Sequence, residues 1–157
     1  MNLIAAGSMD VDTLTDLHDA CFDEAWTRDV VAQVLARPGA FALLARVEDH
    51  PAGFALCRGA GEECELLALA VLPRWRRLGL GRRLLHAALK SAAATGAASM
   101  SLEVAEDNDA AQALYQANGF SRVGRQPGYY VRPGGERMAA LTLRRSLGAQ
   151  SLRSRRR

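Results

Sequence analysis

The sequence predicts an α/β protein built on one mixed, mostly antiparallel sheet with helices on both faces. Three observations lead there. Short apolar runs punctuated by turn residues fill positions 40 to 71, before any long helical pattern begins. From position 82 onward the order becomes helix, strand, helix, strand, strand, which a doubly wound parallel sheet would not produce. A chain of 157 residues, 49% of them apolar, also suffices for one core and is short for two ordinary domains.

Taken in order, Val11, Leu14, Leu17, His18 and Cys21 recur at three- and four-residue spacing behind Asp10 and Asp12, which suit a helix N-cap. Thr27 can cap a second helix, with Asp29 in its first turn, Val30, Val31, Val34 and Leu35 as its apolar face, and Arg37-Pro38-Gly39 as its stop. Strands are expected at 40–47 and 52–58, joined by Glu48-Asp49-His50-Pro51, and a third at 64–71 after Gly59-Ala60-Gly61. These three form an antiparallel meander. A helix from Arg82 to Gly96 shows one face through Leu84, Leu85, Ala88, Leu89 and Ala92. Residues 99–104 read as a strand, and Asp109 opens a helix that Asn118-Gly119 closes. Phe120 then starts a strand, and a last strand spans 138–143 after the Pro133-Gly134-Gly135 loop. A ligand is expected where adjacent strands diverge.

The formal charge of +3 depends on Arg153, Arg155, Arg156 and Arg157; without them 16 basic residues face 17 acidic ones. The basic character therefore belongs to a tail over 148–157, expected to be disordered, and residues 1–147 form the folded domain on this reading. Direct nucleic-acid binding is not expected. Cys21, Cys57 and Cys64 have neither disulfide-framework nor zinc spacing and fit a reducing compartment. His18, His50 and His86 lack metal spacing as well, so no metal is expected. The N-terminal residues carry no basic leader and no run approaches the ~20 apolar residues of a membrane span, so a cytoplasmic protein without membrane attachment is expected.

The most informative stretch is Arg76-Arg77-Leu78-Gly79-Leu80-Gly81, between the apolar run 66–72 and a helix. Glycines there let the backbone turn and approach a ligand, and the free N–H groups of the helix start favour an anion. A Walker loop needs Gly-Lys followed by Ser or Thr, which Gly81-Arg82-Arg83 does not supply. A dinucleotide fingerprint needs a third glycine where Leu84 stands and a tighter strand-to-turn junction. The remaining pattern, Arg-x-x-Gly-x-Gly after a strand ending in Val-x-Pro, resembles the acetyl-coenzyme A loop of the GNAT N-acetyltransferases. Leu102-Glu103-Val104, Asn108, Ala113-Leu114-Tyr115, Asn118-Gly119-Phe120, the segment Cys21 to Thr27 and the pair Tyr129-Tyr130 extend that resemblance. Within GNAT enzymes the series is similar to the bacterial ribosomal-protein-alanine N-acetyltransferases, over roughly Phe22 to Leu143.

The resemblance implies a GNAT acyl-CoA N-acyltransferase fold, acetyl-CoA as cosubstrate and direct transfer to a primary amine. The acceptor it implies is the N-terminal alanine of a ribosomal protein. Leu69, Ala70 and Val71 would hold the pantetheine arm through their backbone. Arg77, Leu78, Gly79, Leu80, Gly81 and Arg82 would cradle the pyrophosphate, with Arg83 and Arg74 adding charge. Glu103 would be the general base and Tyr115 the acid that protonates the leaving sulfur. Asn108 would contact the cofactor, although an Asn before a helix is also a good cap. Tyr129 and Tyr130, placed in the loop before the last strand, would flank the acceptor peptide with Phe22 and Trp26. Where relatives often carry an acidic residue early in the last strand, this chain has Ala139. A small amine or internal lysine as acceptor, and a non-catalytic acetyl-CoA sensor, stay open at this level, as does the oligomeric state.

Overall fold

In a computed structural model the described residues are 1–147; the expected basic tail, 148–157, lies outside them. Seven strands make one sheet: β1 (Asn2–Ala6), β2 (Ala40–Val47), β3 (His50–Ala60), β4 (Glu63–Val71), β5 (Ser99–Ala105), β6 (Ser121–Val131) and β7 (Arg137–Ser146). Their order across the sheet is β1-β2-β3-β4-β5-β7-β6. Of the neighbouring pairs only β4 and β5 run parallel, joined by the crossover through a long helix. The helices are α1 (Val11–Cys21), α2 (Arg28–Ala36), α3 (Leu80–Ala94) and α4 (Asp109–Ala117).

Two apolar cores sandwich the sheet. On one face Val11, Leu14, Leu17, Val31 and Val34 of α1 and α2 bury Leu44, Phe54, Leu56, Ala68 and Ala70. On the other, Leu84, Leu85, Ala88, Leu89 and Ala92 of α3 cover Cys57, Leu66, Met100, Leu102 and Leu143, with Tyr115 and Phe120 at the margin. Burial of these side chains, at roughly 1.5–3 kcal/mol for each large one, is what fixes the two layers.

β4 contributes Cys64 and Leu66 to one core but Ala68 and Ala70 to the other. A regular strand puts all even positions on one face, so the phase must slip. It slips at Leu67: Cys57 pairs with Leu66 and Leu56 with Ala68, leaving Leu67 as an extra residue. The bulge bends β4 at the point where its pairing with β5 stops, at Leu66 opposite Leu102. Beyond it the two parallel strands part.

The expected elements recur with shifted bounds, β3 for instance taking in His50, Pro51, Gly59 and Ala60 from its expected connections, and other differences are larger. β1 was absent from the sequence reading; its five residues gain their order by pairing along the edge of β2. α3 begins at Leu80 rather than Arg82, since Leu80 is 3% exposed and supplies the first core contact. Asp10 stands at the N-cap of α1 without capping it; its Oδ2 instead accepts from the Gly7 N–H at 2.9 Å. Thr27 does cap α2, its Oγ1 accepting from the Val30 N–H at 3.3 Å. Tyr129 and Tyr130 lie within β6, which is longer than expected. Two surplus residues between the pairs Gln126↔Ala140 and Tyr130↔Met138, with Gly128 at φ +64, swing this strand end toward the parting of β4 and β5.

Candidate active site

Where β4 and β5 separate, a cleft of about 600 Å³ opens. Leu67, Ala68 and Leu69 line one side and Glu103, Val104 and Ala105 the other, while Tyr115 and Asn108 of α4 and Tyr129 and Tyr130 of β6 complete it. Residues Leu69, Ala70 and Val71 hydrogen-bond β3 on one edge, opposite Ala55, Phe54 and Gly53. Their other edge has no strand partner, since the β4–β5 ladder ends at Leu66. Apart from the Val71 carbonyl, which the Arg76 guanidinium occupies, the N–H and C=O groups that face away from β3 suit an extended ligand with amide groups of its own.

The glycine segment continues that edge. After a 3-10 turn at Pro73–Trp75, Arg77 takes φ +67 and Gly79 φ +76, and Gly79 becomes the N-cap of α3. A Cβ on Gly79 would meet nothing within 4 Å, so the left-handed backbone, and not crowding, selects glycine there. Gly81 differs. It sits inside the first turn of α3, where a Cβ would make ordinary contacts with Leu114 at 3.6 Å and Val71 at 3.9 Å. The Arg83 N–H closes the first helical bond on the Gly79 carbonyl, so the N–H groups just before it are free to meet an anion. Arg77, Leu78 and Arg82 are exposed around this end, whereas the Leu80 side chain is core. Arg76 is structural: its Nε donates to the Val71 carbonyl at 2.8 Å.

Glu103 is the first β5 residue past the last β4 pair and is exposed on the cleft. Among the described residues it has no ion-pair partner, while the neighbouring Glu106 and Asp107 are held by Arg125 and Arg132 at 2.6 and 2.5 Å. Tyr115 is 8% exposed and packs edge-to-face on Phe120 at 5.7 Å. Burial, with lesser contributions from Cys57 and Tyr130, pushes its phenol up to about 12. It therefore stays protonated across the neutral range. Tyr129 and Tyr130 meet edge-to-face at 5.0 Å. The charge of Glu103 is the main reason the Tyr129 phenol is raised above its ordinary value. Asn108 performs the capping role, its Oδ1 accepting from the Ala111 N–H at 3.1 Å, and also lines the cleft. Ala139 is buried at 5% and does not line the cleft. No group of three or more His, Cys, Asp or Glu that could hold a metal occurs among the described residues, and no described helix is long and apolar enough to cross a membrane.

One feature of this wall was not legible in the sequence beyond a helical period. His18, 4% exposed, is stacked between Phe22 at 4.4 Å and Trp26 at 4.6 Å, and its Nδ1 accepts from the Trp26 N–H at 3.1 Å. It orders the α1–α2 connection that walls the cleft. Burial depresses its pKa, against the opposing charge of Asp19. The folded protein therefore resists the proton that the unfolded chain binds below pH ~6.5. Stability should fall as pH drops through that value, and His18→Phe should remove part of the slope. Urea midpoints between pH 8 and 5.5 would check it; parallel curves for both proteins would refute the assignment.

The family described as Acetyltransferase (GNAT) matches residues 11–120. The chain is 36% identical over 133 residues to the N-alpha-acetyltransferase RimI of Mycobacterium tuberculosis, covering 82% of this chain and 80% of that protein. It is 33% identical over 96 residues to the ribosomal protein bS18-alanine N-acetyltransferase of Haemophilus ducreyi, covering 61% of this chain and 66% of the relative. Another curated relative is spanned over only 36% of its length. Among solved structures, the ribosomal-protein-S18-alanine N-acetyltransferase of Escherichia coli is similar with a TM-score of 0.87, 25% identity and 93% of each chain covered.

Proposed function

Since this chain belongs to the GNAT acetyltransferase family, we propose that it transfers an acetyl group directly from acetyl-CoA to the N-terminal α-amine, alanine first, of a ribosomal protein. The observation that carries the chemistry is one cleft lined by both an unpaired carboxylate, Glu103, and a buried, protonated phenol, Tyr115. The names and similarity of the relatives support the choice of acceptor.

The residues present fit the cosubstrate. The unpartnered edge of Leu69–Val71 can hydrogen-bond the two amides of a pantetheine arm, and the start of α3 with Arg77 and Arg82 can meet phosphates. Bound there, acetyl-CoA supplies an activated thioester. Glu103 then accepts a proton from the incoming ammonium, directly or through water, and Tyr115 holds a proton for the departing sulfur. Tyr129, beside Glu103, and Tyr130 form the wall against the peptide. A relay through cysteine is disfavoured: Cys57 and Cys64 are 0% and 1% exposed and do not line the cleft, the hydrogen bond with Cys64 and then burial raise the Cys57 thiol well above its ordinary value, and burial raises that of Cys21, which does line it. An α-amine suits a single carboxylate base, because at pH 7 roughly a tenth of it is already neutral against about 0.04% of a lysine.

The test is acetyl-CoA turnover, followed by thiol release, with peptides carrying a free N-terminal alanine, N-blocked peptides with an internal lysine, and small amines. Acetylation of free N-termini supports the reading. Turnover only of lysine or small amines would replace the acceptor, and cofactor binding without turnover of any acceptor would favour a sensor. Gly79→Val should raise the acetyl-CoA dissociation constant by about tenfold or more, because a β-branched residue at φ +76 displaces the helix start. Calorimetric titration showing unchanged affinity would remove this segment from the binding site.

A further inference from the structure

We propose that Glu65 selects the acceptor's second residue, favouring arginine or lysine there; this rests on the N-terminal acceptor reading above. Glu65 is exposed and lines the same cleft as Glu103. It pairs in parallel register with Ser101, one step before the last β4–β5 pair. Ser101 and Glu103 are two residues apart on β5, so Glu65 and Glu103 project from the same face, ~5 Å apart across the strands and ~7 Å along them. An extended peptide whose amine meets Glu103 advances ~3.4 Å to its second residue. A long cationic side chain from there reaches Glu65, and a short one does not.

The charges around Glu65 sharpen the assignment. Glu63, two residues back on the same face, is committed to structure: it accepts from the Ser99 hydroxyl at 2.8 Å and pairs with Arg144. Glu65 has no such commitment. Arg58 stands opposite it in the β3 register, yet no ion pair joins them within 4 Å. Asp23 and Glu24 also line the cleft, whereas its one arginine, Arg132, is already paired with Asp107. The cleft therefore concentrates cations. The Tyr129 phenol responds to both Glu103 and Glu65, as expected if the two carboxylates share one short channel.

The experiment measures kcat/KM for three otherwise identical peptides beginning Ala-Arg, Ala-Gln and Ala-Glu. Wild type should prefer Ala-Arg over Ala-Gln by about tenfold, the size of one charge-assisted contact, and Ala-Glu should be poorest. High salt should shrink the preference. Glu65→Gln should bring the Arg-to-Gln ratio within about twofold, and Glu65→Arg should shift the preference toward Ala-Glu. An acetyl-CoA thermal shift equal to wild type confirms that each variant is folded. A wild type indifferent to the second residue overturns the proposal without any variant, as does a ratio that survives Glu65→Gln. Turnover of lysine peptides or small amines with no N-terminal acetylation would overturn the acceptor reading itself, and the role of Glu65 with it.

Discussion

Glu103→Gln is expected to lower kcat/KM for an N-terminal peptide by about a hundred- to ten-thousand-fold at pH 7, the range that one positioned general base supplies. Glutamine keeps the shape and the hydrogen-bonding carbonyl but cannot take a proton. Acetyl-CoA affinity should stay within about twofold, because the proposed cofactor contacts come from the β4 edge and the start of α3, and Glu103 is on β5. The loss should also depend on pH in a definite direction. With an α-amine pKa near 7.7–8.0, the fraction needing no base rises through that range. The deficit should therefore be largest at pH 6 and shrink above pH ~9, where the nucleophile is already neutral. A deficit independent of pH would mean that Glu103 orients the peptide without accepting its proton. Full activity at pH 6 would take Glu103 out of the mechanism. Because the carboxylate is exposed and unpaired, its replacement removes no folded-state ion pair, so a lost rate cannot be attributed to unfolding.

Where the sequence was legible, a local rule coincided with a tertiary one. Gly79 was readable as a turn residue before a helix because that is a single-residue constraint, and its backbone takes φ +76 there. Leu84, Leu85 and Ala88 were readable because the helix period of α3 matches one flat core. The opening of the site was not readable, since it depends on the bulge at Leu67, which sits in the run Leu66-Leu67-Ala68-Leu69 where a phase slip leaves no compositional trace. Tyr129 and Tyr130 are expected in the loop before the last strand, next to Pro127 and Gly128. Those two residues instead form an irregularity inside β6, which the pairing with β7 tolerates because β6 is an edge strand. His18 was legible only as one position of an apolar helix face; its stacking with Phe22 and Trp26 needs the chain reversal after α1, which no period encodes. Asn108 shows the opposite difficulty. Of its two expected roles the structure shows the cap, made through Oδ1, and the residue also lines the cleft, so the cap does not exclude the proposed cofactor contact.

Tyr115→Phe should lower kcat by about ten- to a hundredfold and leave the KM for acetyl-CoA nearly unchanged, since the hydroxyl is needed only as charge develops on the departing sulfur. The ring packing on Phe120 survives the change. Burial and neighbouring charge, not a hydrogen bond, govern the phenol, so the unfolding midpoint should hold or rise slightly. A thioester whose thiol is more acidic leaves without needing a proton, so its transfer should be nearly insensitive to the substitution. That comparison separates proton donation from packing: a penalty equal for both thioesters would make Tyr115 a wall and not an acid. With its phenol held up to about 12, wild type should also show no alkaline loss of activity from Tyr115 below pH ~11. An alkaline limb near pH 10 that vanishes in Tyr115→Phe would contradict the burial that sets this group apart from the more exposed Tyr129.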